Sequence, residues 1–178
     1  MSESPLPRPG WFSLTWPEGG AEAPAALLSL AELGDMPVKP RPPERVFDQI
    51  ARVFPGRRFV WLAQEHTRIV HRADADCQAA GRVGDGLVTN DQETLIGVTV
   101  ADCMPVFLWD RASGARAVLH SGWKGTGIVR EALRLMRNCY GSEAANIYAI
   151  LGPGIRACCY AVPQERAESF ALEFGEAS

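Results

Sequence analysis

Three short segments place a reactive side chain where a β-strand is predicted to end. They are Gln64-Glu65-His66, Ala101-Asp102-Cys103 and His120-Ser121-Gly122. Such ends often carry functional groups, because a rigid sheet positions the side chain while the tip stays accessible. One thiolate and two imidazoles suit Zn²⁺, and three protein ligands leave a fourth position for water or substrate. His66, Cys103 and His120 are therefore candidate ligands for one zinc ion per chain.

The residue types alone leave this metal site open. The gaps between the three candidates match no compact ligand motif, so a core cysteine and two isolated histidines are the alternative. His71 competes with His66, although in a continuous strand it would face the opposite side. Cys77, in a polar stretch, is a weaker substitute for Cys103. We interpret the adjacent Cys158 and Cys159 as packing residues.

The turn after His120 is the second candidate feature. Gly122 and Gly125 bracket Trp123 and Lys124, and a helix is predicted to begin near Thr126. A helix N-terminus can hold a phosphate or carboxylate, and Lys124 would add a point charge. A plain capped turn with an exposed lysine is the alternative.

Composition predicts an ordinary globular protein. The chain has 178 residues, 47% of them hydrophobic and 22% charged, with a formal net charge of −3. We expect a single domain over 1–178, no nucleic-acid footprint and no membrane span. The five cysteines are odd in number and form no CxxC pair, which favours a reduced, cytoplasmic setting.

The pattern along the chain predicts an α+β fold. Residues 1–45 indicate an irregular covering segment with a strand over 11–16 and a short helix over 25–33. In the predicted strand 59–63, alternation would put Leu62, Gln64 and His66 on one face if the strand continues to His66. Further strands are predicted over 94–100, 106–109, 115–120 and 146–151, and helices over 45–53, 126–136 and 164–174.

Taken together, these segments resemble one family, the YfiH-like laccase-domain or multicopper polyphenol oxidase-type proteins, regarded as purine nucleoside phosphorylases. The resemblance covers roughly residues 60–162, with five motifs in the family's order. The motifs are Gln64-x-His66, Gly84-Asp85-Gly86-Leu87-Val88-Thr89, Val100-Ala101-Asp102-Cys103-x-Pro105-Val106, His120-x-Gly122-Trp123-x-Gly125-Thr126, and Leu151-Gly152-Pro153-x-Ile155 with Cys159-Tyr160-x-Val162.

This resemblance implies a zinc ion held by His66, Cys103 and His120. It implies phosphorolysis of adenosine, inosine, guanosine and methylthioadenosine, with adenosine deamination as a further activity. The implied fold is a compact α/β sandwich of mixed sheets, related to cysteine-hydrolase-like toxin domains and usually monomeric. The implied partners are a purine nucleoside and phosphate.

Roles for individual residues follow from combining the resemblance with residue chemistry. Lys124 and Gly125 are expected to hold phosphate, with Lys124 also acting in catalysis, and Gln64 is expected to bind substrate. Asp102, Asp85 or Glu65 would carry the proton. Where the family usually has His-Ala-Gly-Trp-Arg-Gly-Thr, this chain has Ser121 and Lys124, and a lysine loses the bidentate geometry of arginine. Glu65 and Thr67 replace a usual small apolar residue and a usual glycine.

We also expect the chain to lack the family's C-terminal segment with its Phe-x-x-Arg-Arg stretch. An inactive, truncated member that serves as a binding module is therefore an alternative function. A metal-free cysteine hydrolase, with Cys103 as nucleophile and His120 as base, is another alternative. Copper-dependent phenol oxidation is disfavoured, because the sequence has three histidines and a multicopper centre needs many more.

Overall fold

The computed structural model describes residues 9–17, 20, 22–34 and 44–175. Within these ranges the chain forms nine strands and three α-helices. The strands are β1 (Trp11–Leu14), β2 (Ala26–Ser29), β3 (Arg58–Val60), β4 (Val70–Arg72), β5 (Gly86–Thr89), β6 (Thr94–Ile96), β7 (Met104–Asp110), β8 (Arg116–Ser121) and β9 (Ile147–Leu151), and the helices are α1 (Glu44–Val53), α2 (Ile128–Tyr140) and α3 (Gln164–Phe174).

A five-stranded mixed sheet carries most of the structure. Its strand order is β4-β5-β8-β7-β9; β4 and β5 are parallel and the other pairs are antiparallel. Helix α2 packs on one face through Ile128, Ala132 and Met136, which follow each other at helical spacing and are fully buried. Burying this apolar stripe against the strands is the main stabilising contact of the helix.

The opposite face of the sheet is covered by shorter strands. The parallel pair β3–β6 brings Val60 against Leu87 and Val118 of the sheet. Trp16 lies in the connection between the antiparallel strands β1 and β2, and its ring centroid lies 5.7 Å from that of Trp109 in β7. The central sheet is thus buried on both faces, which confirms the predicted sandwich of mixed sheets.

The predicted helix over 25–33 is wrong. Ala26–Ser29 is a strand that pairs with Trp11–Leu14, and only Ala31–Leu33 forms a single 3₁₀ turn. Ala26 is buried against the Trp16 and Trp109 cluster, so tertiary packing and strand pairing override the local helical preference. The rest of the segment 1–45 lies partly outside the described residues.

The strands leading to the candidate site are shorter than predicted. β3 ends at Val60 and β6 at Ile96. Beyond these ends, the buried side-chain amide of Gln64 takes the place of backbone hydrogen bonds between the two strands. It donates to the Thr99 carbonyl at 2.8 Å and accepts from the Thr99 N–H at 2.7 Å. His66 has a φ of 58°, so the predicted alternation of Leu62, Gln64 and His66 does not extend to His66.

The central sheet has two further features. Strand β4 was not predicted from the sequence. Pro105 is the second residue of β7, and its carbonyl accepts the Gly152 N–H at 2.8 Å.

Among the described residues, no helix has both the length and the apolar character needed to cross a membrane.

Candidate metal centre

The three candidate ligands converge on one point. One ligand atom each from His66, Cys103 and His120 lies within 4.8 Å of the other two. Cys103 directly precedes β7 and His120 lies in β8, and these antiparallel strands pair Met104 with Ser121. That register brings Cys103 beside the end of β8, while the loop after β3 brings His66 from the other side. The two imidazole rings meet edge to face, with centroids 4.9 Å apart.

Asp85, the residue immediately before β5, organises this cluster. Its Oδ1 lies 2.7 Å from Nδ1 of His120, and its backbone carbonyl accepts the His120 N–H at 2.7 Å. The same carboxylate accepts the backbone N–H of His66 at 3.1 Å and that of Thr67 at 2.6 Å. One buried carboxylate therefore fixes both the ring of His120 and the loop that carries His66.

The environment of Asp85 favours the ionised form of its carboxyl group. Burial raises the pKa of this carboxyl, but hydrogen bonds from His120, Thr67 and Glu65 outweigh burial and lower the pKa to about 2. An ionised carboxylate can only accept, so Nδ1 of His120 is the protonated nitrogen and Nε2 is left to bind a metal. Carboxylate–histidine pairs of this kind orient metal ligands and raise their basicity.

Two glycines allow the loops to close around the cluster. A Cβ on Gly122 would lie 3.0 Å from Sγ of Cys103 and 3.0 Å from Cδ2 of His66. A Cβ on Gly125 would lie 2.9 Å from the Thr67 carbonyl oxygen. Only glycine permits such close approach of backbone to ligand side chains, so the turn 122–125 and the His66 loop pack directly on each other.

The Cys103 thiol is protonated in the absence of a cation. Its pKa is raised, first by burial and then by the negative charges of Asp102 and Asp85. A nucleophilic cysteine needs the opposite, an environment that lowers its pKa. A metal cation reverses the balance, because a coordinating thiol is deprotonated. The surroundings thus favour Cys103 as a metal ligand over Cys103 as a free nucleophile.

The competing residues lie outside this cluster. Nε2 of His71 is 2.8 Å from the Val83 carbonyl oxygen, and Cys77 accepts from the Arg72 guanidinium at 3.0 Å. The interpretation of Cys158 and Cys159 as packing residues is wrong: both are exposed, with sulfur atoms 3.3 Å apart and no disulfide between them.

The predicted substrate and proton-carrying residues lie at different depths. Gln64 is buried and its amide is bound to Thr99. Asp102 is exposed beside Cys103, and within the described part of the chain its carboxylate has no hydrogen-bond or ion-pair partner. Lys124 is exposed with Nζ 5.4 Å from the centroid of the Trp123 ring. The assignments of Gln64, Asp102, Asp85, Lys124 and Gly125 stay predictions.

Two residues near the cluster were missed by sequence reasoning. The Thr67 hydroxyl donates to Asp85 at 2.7 Å, and the guanidinium of Arg166 lies over Trp123 with Cζ 4.3 Å from the ring centroid. Both contacts join residues far apart in the chain, and neither has a local spacing signal. The substitution of the family's usual glycine by Thr67 was the available hint for the first contact.

Comparison with known proteins identifies the family. Residues 18–178 match the family described as multi-copper polyphenol oxidoreductase laccase, and the chain belongs to this family. It is 38% identical over 112 residues to a purine nucleoside phosphorylase of Clostridium acetobutylicum, a match covering 62% of this chain and 47% of that protein.

Solved structures show the same fold. The Bacillus licheniformis hypothetical protein YfiH superposes with a TM-score of 0.65 at 26% identity, over 71% of this chain and 53% of that one. A Neisseria meningitidis protein gives a TM-score of 0.72 at 22% identity, over 94% and 72% of the two chains. The chain spans about half the length of the Clostridium relative and of the B. licheniformis structure.

The family's description names copper, and the residues of this chain do not fit a multicopper centre. The sequence holds three histidines, and one of them, His71, is bound to the Val83 carbonyl away from the cluster. Two imidazoles and one thiolate fit a single borderline-soft ion. The space that Gly122 leaves around Sγ of Cys103 and the Asp85 carboxylate behind His120 also fit a single bound metal ion.

Proposed function

We propose that this chain is a zinc-dependent purine nucleoside phosphorylase of the cytoplasm that acts as a monomer. Its substrates would be adenosine, inosine, guanosine or methylthioadenosine together with phosphate. The observation that carries the proposal is the convergence of His66, Cys103 and His120 within 4.8 Å. The purine nucleoside phosphorylase names of relatives from Clostridium, Mycobacterium and Bacillus support the reaction class.

Zinc is the metal that this donor set favours. Three ligands of mixed nitrogen and sulfur type leave a fourth position open, as in catalytic zinc sites. His66, Cys103 and His120 would hold the ion, and Asp85 would orient His120 through its Nδ1. When bound, zinc supplies a Lewis acid that polarises a substrate oxygen or nitrogen.

The phosphate that attacks the anomeric carbon needs a cationic site beside the metal cluster. Lys124 and the backbone around Gly125 are the groups we propose for this role, and the packing of Gly125 against the His66 loop, shortly before α2, supports it. Lys124 is exposed and so can reach a bound anion. Holding phosphate and nucleoside together turns the displacement into an effectively intramolecular step.

The departing purine must receive a proton. Asp102 is the carboxylate we propose for relaying this proton from water to the purine, because it is exposed, lies beside Cys103, and its carboxylate has no hydrogen-bond or ion-pair partner among the described residues. Asp85 is less suited to move a proton, since both of its oxygens accept hydrogen bonds and its pKa is lowered to about 2. Asp102→Asn should lower kcat with little change in zinc content.

The reaction is tested by incubating zinc-loaded protein with inosine and phosphate and measuring hypoxanthine release. We expect turnover that depends on phosphate and is abolished in His120→Ala. Arg137→Ala, which removes an exposed cation from the last turn of α2, serves as the control. Absence of base release from all four nucleosides, with zinc bound, would contradict the proposal.

The same assay separates two finer points. With adenosine and no phosphate, release of ammonia would reveal the deaminase activity that we propose as a second reaction. Lys124→Arg should lower the KM for phosphate, because a guanidinium binds phosphate in a bidentate manner. Lys124→Ala should raise it.

A further inference from the structure

We propose that Arg166 of α3 is a second phosphate-binding cation and that it acts with Lys124 at the mouth of the metal cluster. The inference rests on the proposed phosphorylase function and names a residue of its phosphate site outside the motifs that carry the family resemblance. Its basis is a pair of cations that share the ring of Trp123. Cζ of Arg166 lies 4.3 Å and Nζ of Lys124 lies 5.4 Å from that ring's centroid.

The backbone of Trp123 is next to the metal ligands. Trp123 follows Gly122, whose Cβ position is 3.0 Å from Sγ of Cys103 and from Cδ2 of His66. Consecutive Cα atoms are about 3.8 Å apart, so Trp123 begins within one residue of the cluster. The turn that carries Lys124, and the residue whose ring Arg166 covers, therefore begin beside the metal cluster.

No carboxylate of the described residues neutralises either cation. Within the described ranges, Arg166 and Lys124 form no ion pair, whereas Arg68 pairs with Glu173 and Arg134 with Glu131. The neutral hydroxyl of Tyr160 accepts one N–H of Arg166 at 2.9 Å. A guanidinium has five N–H donors, so this bond leaves donors for an oxyanion. Two like charges at one ring repel each other, and a bound phosphate would relieve that repulsion.

Helix α3 is anchored so that Arg166 stays in this position. Its last turn contacts the loop after His66: Glu173 pairs with Arg68, and the Arg68 guanidinium lies over the Phe174 ring at 5.6 Å. Its first turns contact the loop after His120 through Arg166 and Trp123. The helix thus bridges the two loops that follow the histidine ligands.

Arg166 also fits the departure of this chain from the family's usual turn. Lys124 stands where an arginine is usual, and a lysine offers a point charge without a planar pair of donors. Arg166 brings that planar donor set to the same aromatic ring from another element. Phosphate and the phosphate-like oxyanions are the ligands that such a pair of cations would select.

The test measures binding of inorganic phosphate to zinc-loaded protein by isothermal titration calorimetry, together with the KM for phosphate and for inosine. In Arg166→Gln we expect the dissociation constant and the KM for phosphate to rise about tenfold, the effect of one charge-assisted hydrogen bond. Zinc content and the KM for inosine should stay unchanged. Arg166→Lys should fall between the wild type and Arg166→Gln.

Glu173→Gln is the matched control, because it releases the other end of α3 from Arg68 and keeps Arg166. Its phosphate affinity should fall less than that of Arg166→Gln, because the Arg68 guanidinium still lies over the Phe174 ring and holds the last turn of the helix. Equal phosphate affinity in Arg166→Gln and wild type would overturn the inference, and so would an equal loss in Glu173→Gln and Arg166→Gln. If phosphate binding depends on Arg166 but no nucleoside is cleaved, the proposed reaction fails and the anion site stands.

Discussion

Nδ1 of His120 lies 2.7 Å from Oδ1 of Asp85, and both side chains are buried. We expect Asp85→Asn to weaken zinc binding about 10- to 100-fold, since the histidine loses the acceptor that fixes its tautomer and orientation. Competition with a chromophoric chelator measures this affinity. Asp76→Asn, at an exposed position, should leave it unchanged; an unaltered affinity in Asp85→Asn would contradict the positioning role.

The space beside Cys103 predicts a strict requirement for glycine. In Gly122→Ala the new Cβ would lie 3.0 Å from Sγ of Cys103 and from Cδ2 of His66, so both ligand side chains would have to shift by a few tenths of an ångström. We expect zinc to be lost or bound much more weakly, as seen by elemental analysis of the purified variant. Gly20→Ala, whose Cβ meets no atom within 4 Å, should bind zinc like the wild type. Full zinc content in Gly122→Ala would show that the cluster is looser than described.

The raised pKa of the Cys103 thiol, caused first by burial and then by Asp102 and Asp85, predicts slow alkylation. With iodoacetamide near pH 7, the zinc-free protein should label Cys103 more slowly than the exposed Cys139, and zinc should slow it further. Peptide mapping by mass spectrometry gives both rates. A Cys103 that reacts faster than Cys139 would instead favour the metal-free cysteine hydrolase.

Asp110 predicts part of the pH dependence of stability. Burial raises its pKa, but hydrogen bonds from Ser113, Ser142 and Ala112 outweigh burial and lower it. A lowered folded-state pKa means that the stabilisation is present above the unfolded-state pKa of about 4 and is lost as the pH falls through the folded-state pKa.

In chelator-treated protein, Asp110→Asn should therefore reduce the free energy of unfolding by roughly 1–3 kcal/mol at pH 7 and by less near pH 3. Urea denaturation at the two pH values measures the difference. The same loss at both values would show that the charge of Asp110 contributes nothing.

Helices were predictable where their signal is local. The apolar spacing that predicts a helix over 45–53 recurs in α1 (Glu44–Val53), and the predicted helix over 164–174 is α3 (Gln164–Phe174). The hairpin of Ala26–Ser29 was not predictable in this way, because its pairing with Trp11–Leu14 and the burial of Ala26 are tertiary contacts. Likewise, the left-handed φ of His66 depends on the hydrogen bonds its loop donates to Asp85.

The same distinction applies to the site. The types and spacing of His66, Cys103 and His120 did not decide whether they form a metal centre. The family resemblance singled them out as the ligands. Their common position depends on the register of β7 and β8 and on a loop tied to Asp85, which no local pattern encodes. Arg166 reaches Trp123 from a separate helix, and this contact was beyond prediction for the same reason.

The metal content of the purified protein tests the central claim most directly. Elemental analysis should find about one zinc ion per chain in the wild type and none in Cys103→Ala or His66→Ala, while His71→Ala, whose ring is bound to the Val83 carbonyl, retains the metal. A wild-type protein that holds no zinc after zinc is supplied would contradict the account. Full zinc content in Cys103→Ala or His66→Ala would contradict it as well.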